Sequence, residues 1–115
     1  MEKDFYFINE DDQNMVFHRL FYYEFVCLLA TKILNATNLV NDIHKNFFDY
    51  LVQLQSFQDV YFLTSEMPYY WAINIAENKK SIKDLTDEQR AMFSTMYNFF
   101  LVEKGIEDFI ESDIV

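Results

Sequence analysis

One glycine (Gly105) and one proline (Pro68) in 115 residues, against 13 Phe, 8 Tyr and 5 Met, constrain this chain more than any motif does. Gly and Pro supply most of the turn geometries that hairpins require, so a chain almost without them is expected to consist of long helices joined by short polar connectors. The expected fold is all-α, a single-domain bundle of four to five helices spanning residues 1–115. A chain of this length removes roughly two-thirds of its unfolded surface from water, which suffices for one core without staples.

Periodicity and capping chemistry place the helices at 11–35, 38–63, 66–78 and 86–104, with a short last one at 106–112. The acidic opening Asn9-Glu10-Asp11-Asp12 suits the positive end of a helix dipole, and apolar residues dominate from Met15 to Leu34. On that first helix Glu24, Thr31 and Asn35 fall within about 40° of one another, extended by His18 and Lys32. A helix wet on so narrow an arc is either central in its bundle or buried against a second copy. Asn35 to Asn38 break the pattern and offer Thr37 or Asn38 as the next N-cap. In the second helix Val40, Phe47, Leu54 and Tyr61 repeat every seven residues with Ile43, Tyr50 and Phe57 between them, an a/d seam suited to a bundle or a dimer.

Pro68 fits the first turn of the third helix, where its missing N–H costs nothing. Thr86-Asp87-Glu88-Gln89 has capping-box spacing, with Thr86 as N-cap, and Lys104-Gly105 has the form of a C-terminal cap. The expected core includes Phe17, Phe21, Leu28, Val40, Ile43, Phe47, Leu54, Phe57, Phe93, Met96 and Phe100. The polar stretch from Lys79 to Leu85 reads as the most mobile connector.

Charge narrows the partners. The formal net charge of −10 is concentrated at the ends: residues 1–14 carry five acids and one Lys, 15–64 four acids and three bases, and 65–115 ten acids and five bases. A nucleic-acid reader normally shows a basic face, and the one basic cluster, Lys79, Lys80 and Lys83, is too small to make one. No direct nucleic-acid binding is expected. The residues Met1-Glu2-Lys3-Asp4-Phe5 lack the form of a signal peptide, and Met15–Leu34 carries His18, Arg19, Glu24 and Lys32 within its apolar run. A membrane role is not expected, and the single Cys27, set in an apolar run, fits a reducing cytoplasmic setting.

The residues offer no catalytic, cofactor or metal site. Di-iron bundles need Glu-x-x-His pairs, whereas Met15 and Asn41 precede His18 and His44 by three. Asp42 and Asp49 point away from His44 on a helix, and both histidines read as surface or boundary residues. The apolar neighbours of Cys27 should raise its pKa and leave an unreactive thiol. Phosphate-cradling loops require glycines that are not there. Glu24 is expected on the wet arc of its helix rather than buried.

Two surfaces remain. Tyr69, Tyr70 and Trp71 cannot all point inward from one helix, so at least one should lie exposed or at a boundary, as interface anchors do or as plugs at the end of a bundle. Glu103, Glu107 and Glu111, spaced by four, would line one helical face beside Asp108 and Asp113, an acidic stripe for a basic protein partner or simply a solvated face. The expected role is a small acidic interaction module, an inhibitor, immunity factor or regulator of a partner protein, with homodimerisation also expected. The alternatives are a DNA mimic that blocks a nucleic-acid-binding protein and a self-assembling structural module.

Overall fold

The computed structural model describes residues 1–36, 39, 41–65, 67–76 and 85–113. It corrects the all-α expectation. Among the described residues, three strands, β1 (Phe5–Ile8), β2 (Asn14–Phe17) and β3 (Ile110–Ser112), accompany five helices, α1 (Arg19–Lys32), α2 (Asp42–Val52), α3 (Phe57–Thr64), α4 (Pro68–Ile75) and α5 (Asp87–Lys104). The strands form an antiparallel sheet in the order β1-β2-β3.

The sheet exists because asparagine and aspartate take over the work expected of glycine. The β1–β2 turn is held by Asn9, whose Oδ1 accepts the N–H groups of Asp11 and Gln13, while its own N–H donates to the Gln13 carbonyl. Asp12 adopts a left-handed φ of 59°, and Asn35, just past α1, one of 58°. Both residue types tolerate that region because their short side chains bond locally to the backbone. What reads as a helix start at Asn9–Asp12 is therefore a hairpin turn, and Met15 to Phe17, assigned to the first helix, are strand. The register pairs Phe5 with Phe17 and Phe7 with Met15, so Phe7 and Phe17 are buried while Tyr6 and Ile8 stay exposed.

The expected helix over 38–63 is two helices. Gln53 to Ser56 leave helical geometry, and Ser56 takes an extended φ of −150° as the N-cap of α3. The Asp59 carboxylate accepts the Gln55 N–H at 2.8 Å. Ser56-Phe57-Gln58-Asp59 has the S-x-x-D form of a helix start, a signal that the heptad spacing obscures. The seam does not hold on either side of the break: Phe47 and Leu54 are buried, but Tyr50 before it and Tyr61 after it are 50% and 37% exposed. Thr37 and Asn38 lie outside the described residues, and α2 is capped by Asn41, which accepts the His44 N–H at 2.8 Å.

The expected short helix at 106–112 is β3 with its approach. Gly105, at φ 70°, turns the chain through a left-handed cap in which the N–H groups of Gly105 and Ile106 donate to Val102 and Leu101. The chain then lies along β2, pairing Val16 with Glu111 and Phe17 with Ile110. At the other end of α5, Thr86 and Gln89 exchange both bonds of a capping box at 3.0 Å. The stretch 77–84, including the expected end of the third helix and most of the connector, lies outside the described residues.

The central helix is α1, which packs against α2, α4 and α5. Of the expected core, Phe17, Phe47, Leu54, Phe93 and Phe100 are buried; Phe21, Leu28, Phe57 and Met96 are half-buried; Ile43 is exposed, and Val40 lies outside the described residues. Three helix C-termini lack a basic residue in their last turn, and each lends a carbonyl to a side chain from another element. Arg19 bonds Leu51 of α2, Trp71 bonds Leu63 of α3, and Asn41 bonds Ile75 of α4, at 2.8–3.0 Å. The last four carbonyls of a helix have no intrahelical partner, so these bonds join neighbouring elements where the backbone demands one.

Among the described residues the buried Tyr22 hydroxyl has no partner, and burial pushes its pKa well above the usual phenol value. Tyr22→Phe is expected to stabilise the fold by about 1 kcal/mol, because it removes an uncompensated desolvation and keeps the ring contacts with Phe17 and Phe109. Urea titration of both proteins checks this, and a loss of stability would contradict it.

Candidate functional site

The three successive aromatics of α4 separate as helical geometry demands. Tyr69 leans on Phe93 of α5 with ring centroids 5.0 Å apart, Trp71 stacks on the buried Phe47 at 5.0 Å, and Tyr70 is 40% exposed. The Trp71 indole N–H donates to Leu63 at 3.0 Å, which fixes the ring at the boundary between core and solvent.

The fold adds residues to this segment that spacing alone does not associate with it. Tyr50 of α2 lies 6.5 Å from Trp71 and 6.4 Å from Phe62 of α3. Tyr70 lies 6.1 Å from Trp71. Phe62, Tyr50, Trp71 and Tyr70 thus form a continuous row of rings from three helices. Phe62 is 66% and Tyr50 50% exposed. A cleft of about 390 Å³ opens beside Tyr50 and Phe62, edged by Gln53, Gln55 and Asp59. The heptad spacing places Tyr50 on the seam and so hides this role; α2 leaves it exposed beside Phe62, and only Ser56-x-x-Asp59 announces the helix break that sets α3 there.

The acidic stripe does not assemble as expected. Glu103 is exposed on α5, but the helix ends at Lys104, so Glu107 and Glu111 leave its face. Glu107 is exposed, and its N–H donates to Glu111 at 2.6 Å. Asp108 accepts the Tyr97 hydroxyl at 2.9 Å and the Phe109 N–H at 2.7 Å. Asp113 is exposed, its N–H paired to Asn14. Burial, then the Asp108 contact, pushes the Tyr97 pKa up to about 12.

Glu111 has a structural task. Its Oε2 lies 2.6 Å from Nε2 of His18, whose Nδ1 lies 2.9 Å from Asp4. The imidazole therefore links the segment before β1, the start of α1 and β3, through carboxylates 14 residues before it and 93 after it. Burial by itself would raise the Glu111 pKa. The His18 bond, the Glu107 and Asp108 amides and the His18 charge outweigh it and hold the carboxyl below its ordinary 4.5.

His44 and Cys27 also meet through the fold. The Tyr23 hydroxyl lies 2.6 Å from Nε2 of His44, and Cys27 Sγ lies 3.9 Å from the same nitrogen. Burial pushes the Cys27 thiol up, the opposite of what an attacking thiolate requires. Glu24 is exposed, 3.7 Å from Lys104. Among the described residues no group of three His, Cys, Asp or Glu side chains could hold a metal, and no helix is long and apolar enough to cross a membrane.

These environments set an acid response. Glu111 is more acidic folded than unfolded, so the stability it contributes is complete above pH 4.5 and is lost as the pH falls through its folded value. Burial lowers the His44 pKa below 6.5, so the unfolded chain takes up its proton first and stability falls as the pH drops below 6.5. The melting temperature is expected to decline in two stages on acidification. His44→Gln should remove the first and Glu111→Gln should flatten the second; a flat wild-type profile across both windows would contradict the assignment.

Comparison with protein-family models, with curated proteins and with solved structures finds no match for this chain.

Proposed function

We propose that this chain is a protein-interaction module that inhibits or regulates a partner protein in the cytoplasm, and that it makes contact through the row Phe62–Tyr50–Trp71–Tyr70. The observation that carries this reading is the exposure of Phe62, Tyr50 and Tyr70, at 66%, 50% and 40%, around a Trp71 anchored to Leu63. Tyr and Trp dominate the binding energy of protein interfaces because they bury large area at little rotamer entropy. Rigid backing adds to this: Phe47 and the indole bond hold Trp71 in place before any partner arrives. Binding rather than catalysis is supported by the raised Cys27 thiol and by the bond from Tyr23 that occupies Nε2 of His44.

The test is capture from lysate of the source cells with wild type and a Tyr50→Ser, Phe62→Ser, Tyr70→Ser triple variant. Wild type is expected to retain a partner that the variant loses by at least about tenfold, since two or three exposed anchors are each worth about 1–2 kcal/mol. Equal capture by a folded variant would sink the reading. Homodimerisation is the second reading. It is favoured by the two adjoining exposed rings of Tyr50 and Phe62 on neighbouring helices, and light scattering of both proteins separates it from a partner of different sequence.

A further inference from the structure

We infer that a second surface, between α1 and α5, docks a basic amphipathic helix from another protein. It shares no residue with the aromatic row. A groove of about 460 Å³ is floored by Leu28, Met96 and Phe100, walled by Phe99, and edged by Glu24 and Glu103. Phe99 is 68% exposed, its neighbour Val102 80%, and Met92, two turns before Phe99 on the stripe, 41%.

The pattern along α5 identifies the occupant. Glu88, Met92, Met96, Phe99 and Glu103 follow one another at intervals of four, four, three and four, so an apolar stripe runs between two carboxylates on one helical face. Both carboxylates are exposed, and among the described residues neither forms an ion pair. Fifteen residues of helix separate them, about 22 Å. The groove borders the Met96–Glu103 end of this stripe, and an apolar stripe with a carboxylate at each end fits a helix that carries large apolar residues in its middle turns and Lys or Arg at both ends. The net charge of −10 draws such a helix in and repels an anionic lipid surface.

A second copy fits poorly. Antiparallel pairing of two α5 stripes about their midpoint sets Glu88 of each against Glu103 of the other, and like charges facing across an apolar contact oppose it. Lys104 pairs with the Glu24 edge of the groove at 3.7 Å and lies over the Phe21 and Phe100 rings, and among the described residues it forms no ion pair with Glu88 or Glu103. Lys32 of α1 is exposed and forms no ion pair among the described residues.

The probe is a fluorescein-labelled helical peptide of about 18 residues, long enough to span both carboxylates, with Leu at its central i, i+4 and i+7 positions and Lys at both ends. A twin carries Glu in place of each Lys. Fluorescence anisotropy is expected to show the Lys peptide binding at least about tenfold more tightly than its twin, with the preference shrinking at high salt. The double variant Glu88→Lys, Glu103→Lys should reverse the preference, and Phe99→Ala should weaken both peptides. All three side chains are exposed, so the variants should keep the wild-type circular dichroism. The Tyr50, Phe62, Tyr70 variant should bind the Lys peptide as wild type does, which keeps failure of this surface distinct from failure of the aromatic one. Equal binding of the two peptides, no binding of either, or a dimer that Phe99→Ala dissolves would each overturn the inference.

Discussion

Phe47→Ala is expected to cost about 3–5 kcal/mol, the range for truncating a fully buried aromatic side chain in a packed core. Phe47 has no exposed surface, and its ring meets Tyr22 and Tyr23 of α1, each at 6.1 Å, and Trp71 of α4 at 5.0 Å. The loss is large because one side chain from α2 fills the space between two other helices, and neither can close the gap without breaking a helix-end bond. Asn41 ties α2 to Ile75 of α4, and Arg19 ties α1 to Leu51 of α2. A loss of this size is a major share of a typical domain's stability of about 5–15 kcal/mol. Urea unfolding should show a lower midpoint at unchanged slope. Phe62→Ala is the control: it removes a ring of the same size that is 66% exposed, and should shift stability by no more than about 0.5 kcal/mol. Equal losses from both would mean that Phe47 does not occupy the core described.

Arg19→Ala is expected to cost about 2–3 kcal/mol, the range for hydrogen bonds to a charged group whose loss strands a buried partner. Arg19 is buried, and it donates from Nε to the Glu2 carbonyl at 2.9 Å and from Nη1 to the Leu51 carbonyl at 3.0 Å. Leu51 lies in the last turn of α2, which holds no basic residue of its own. The guanidinium therefore supplies from α1 both the missing donor and the positive charge that suits a helix C-terminus. Its contact with the Phe5 ring, 5.8 Å away, extends the same side chain to β1. Arg19→Lys should recover only part of the loss, because an ammonium cannot hold two carbonyls in the fixed geometry of the planar fork. Full recovery by Lys would show that charge alone matters at this site.

Which parts were legible follows from the range of the interaction that decides them. The caps of α5 could be read because Thr86 and Gln89 are three residues apart and Gly105 acts on the turn just before it. Pro68 marks the first turn of α4 for the same local reason. The sheet was not legible from a count of glycines, because Asn9 and Asp12 make the hairpin turn by side-chain bonds and by tolerance of positive φ. Composition records glycine but not which Asn or Asp will take its place.

The candidate surfaces divide along the same line. That Tyr69, Tyr70 and Trp71 point in different directions follows from 100° per residue; that Tyr50 and Phe62 complete the row does not. It requires the break at Gln53–Ser56 and the packing of Phe47 beneath Trp71. The acidic stripe shows the reverse case: spacing by four placed Glu103, Glu107 and Glu111 together only while the helix continued, and Gly105 ends it.

The residues near each site were enough for the two caps of α5, the Pro68 start of α4 and the apolar character of α1, which rest on bonds and periodicities of about one helical turn. The equally local caps at Asn41 and Ser56 were hidden by the heptad spacing. Tertiary structure alone decided that Ile110–Ser112 would be a strand on β2, that Glu111 would meet His18 from 93 residues away, and that three helix C-termini would be closed by side chains from elsewhere. Such partners are chosen by chain closure and by the need of each buried carbonyl for a donor, and the residues near either partner carry no mark of the choice.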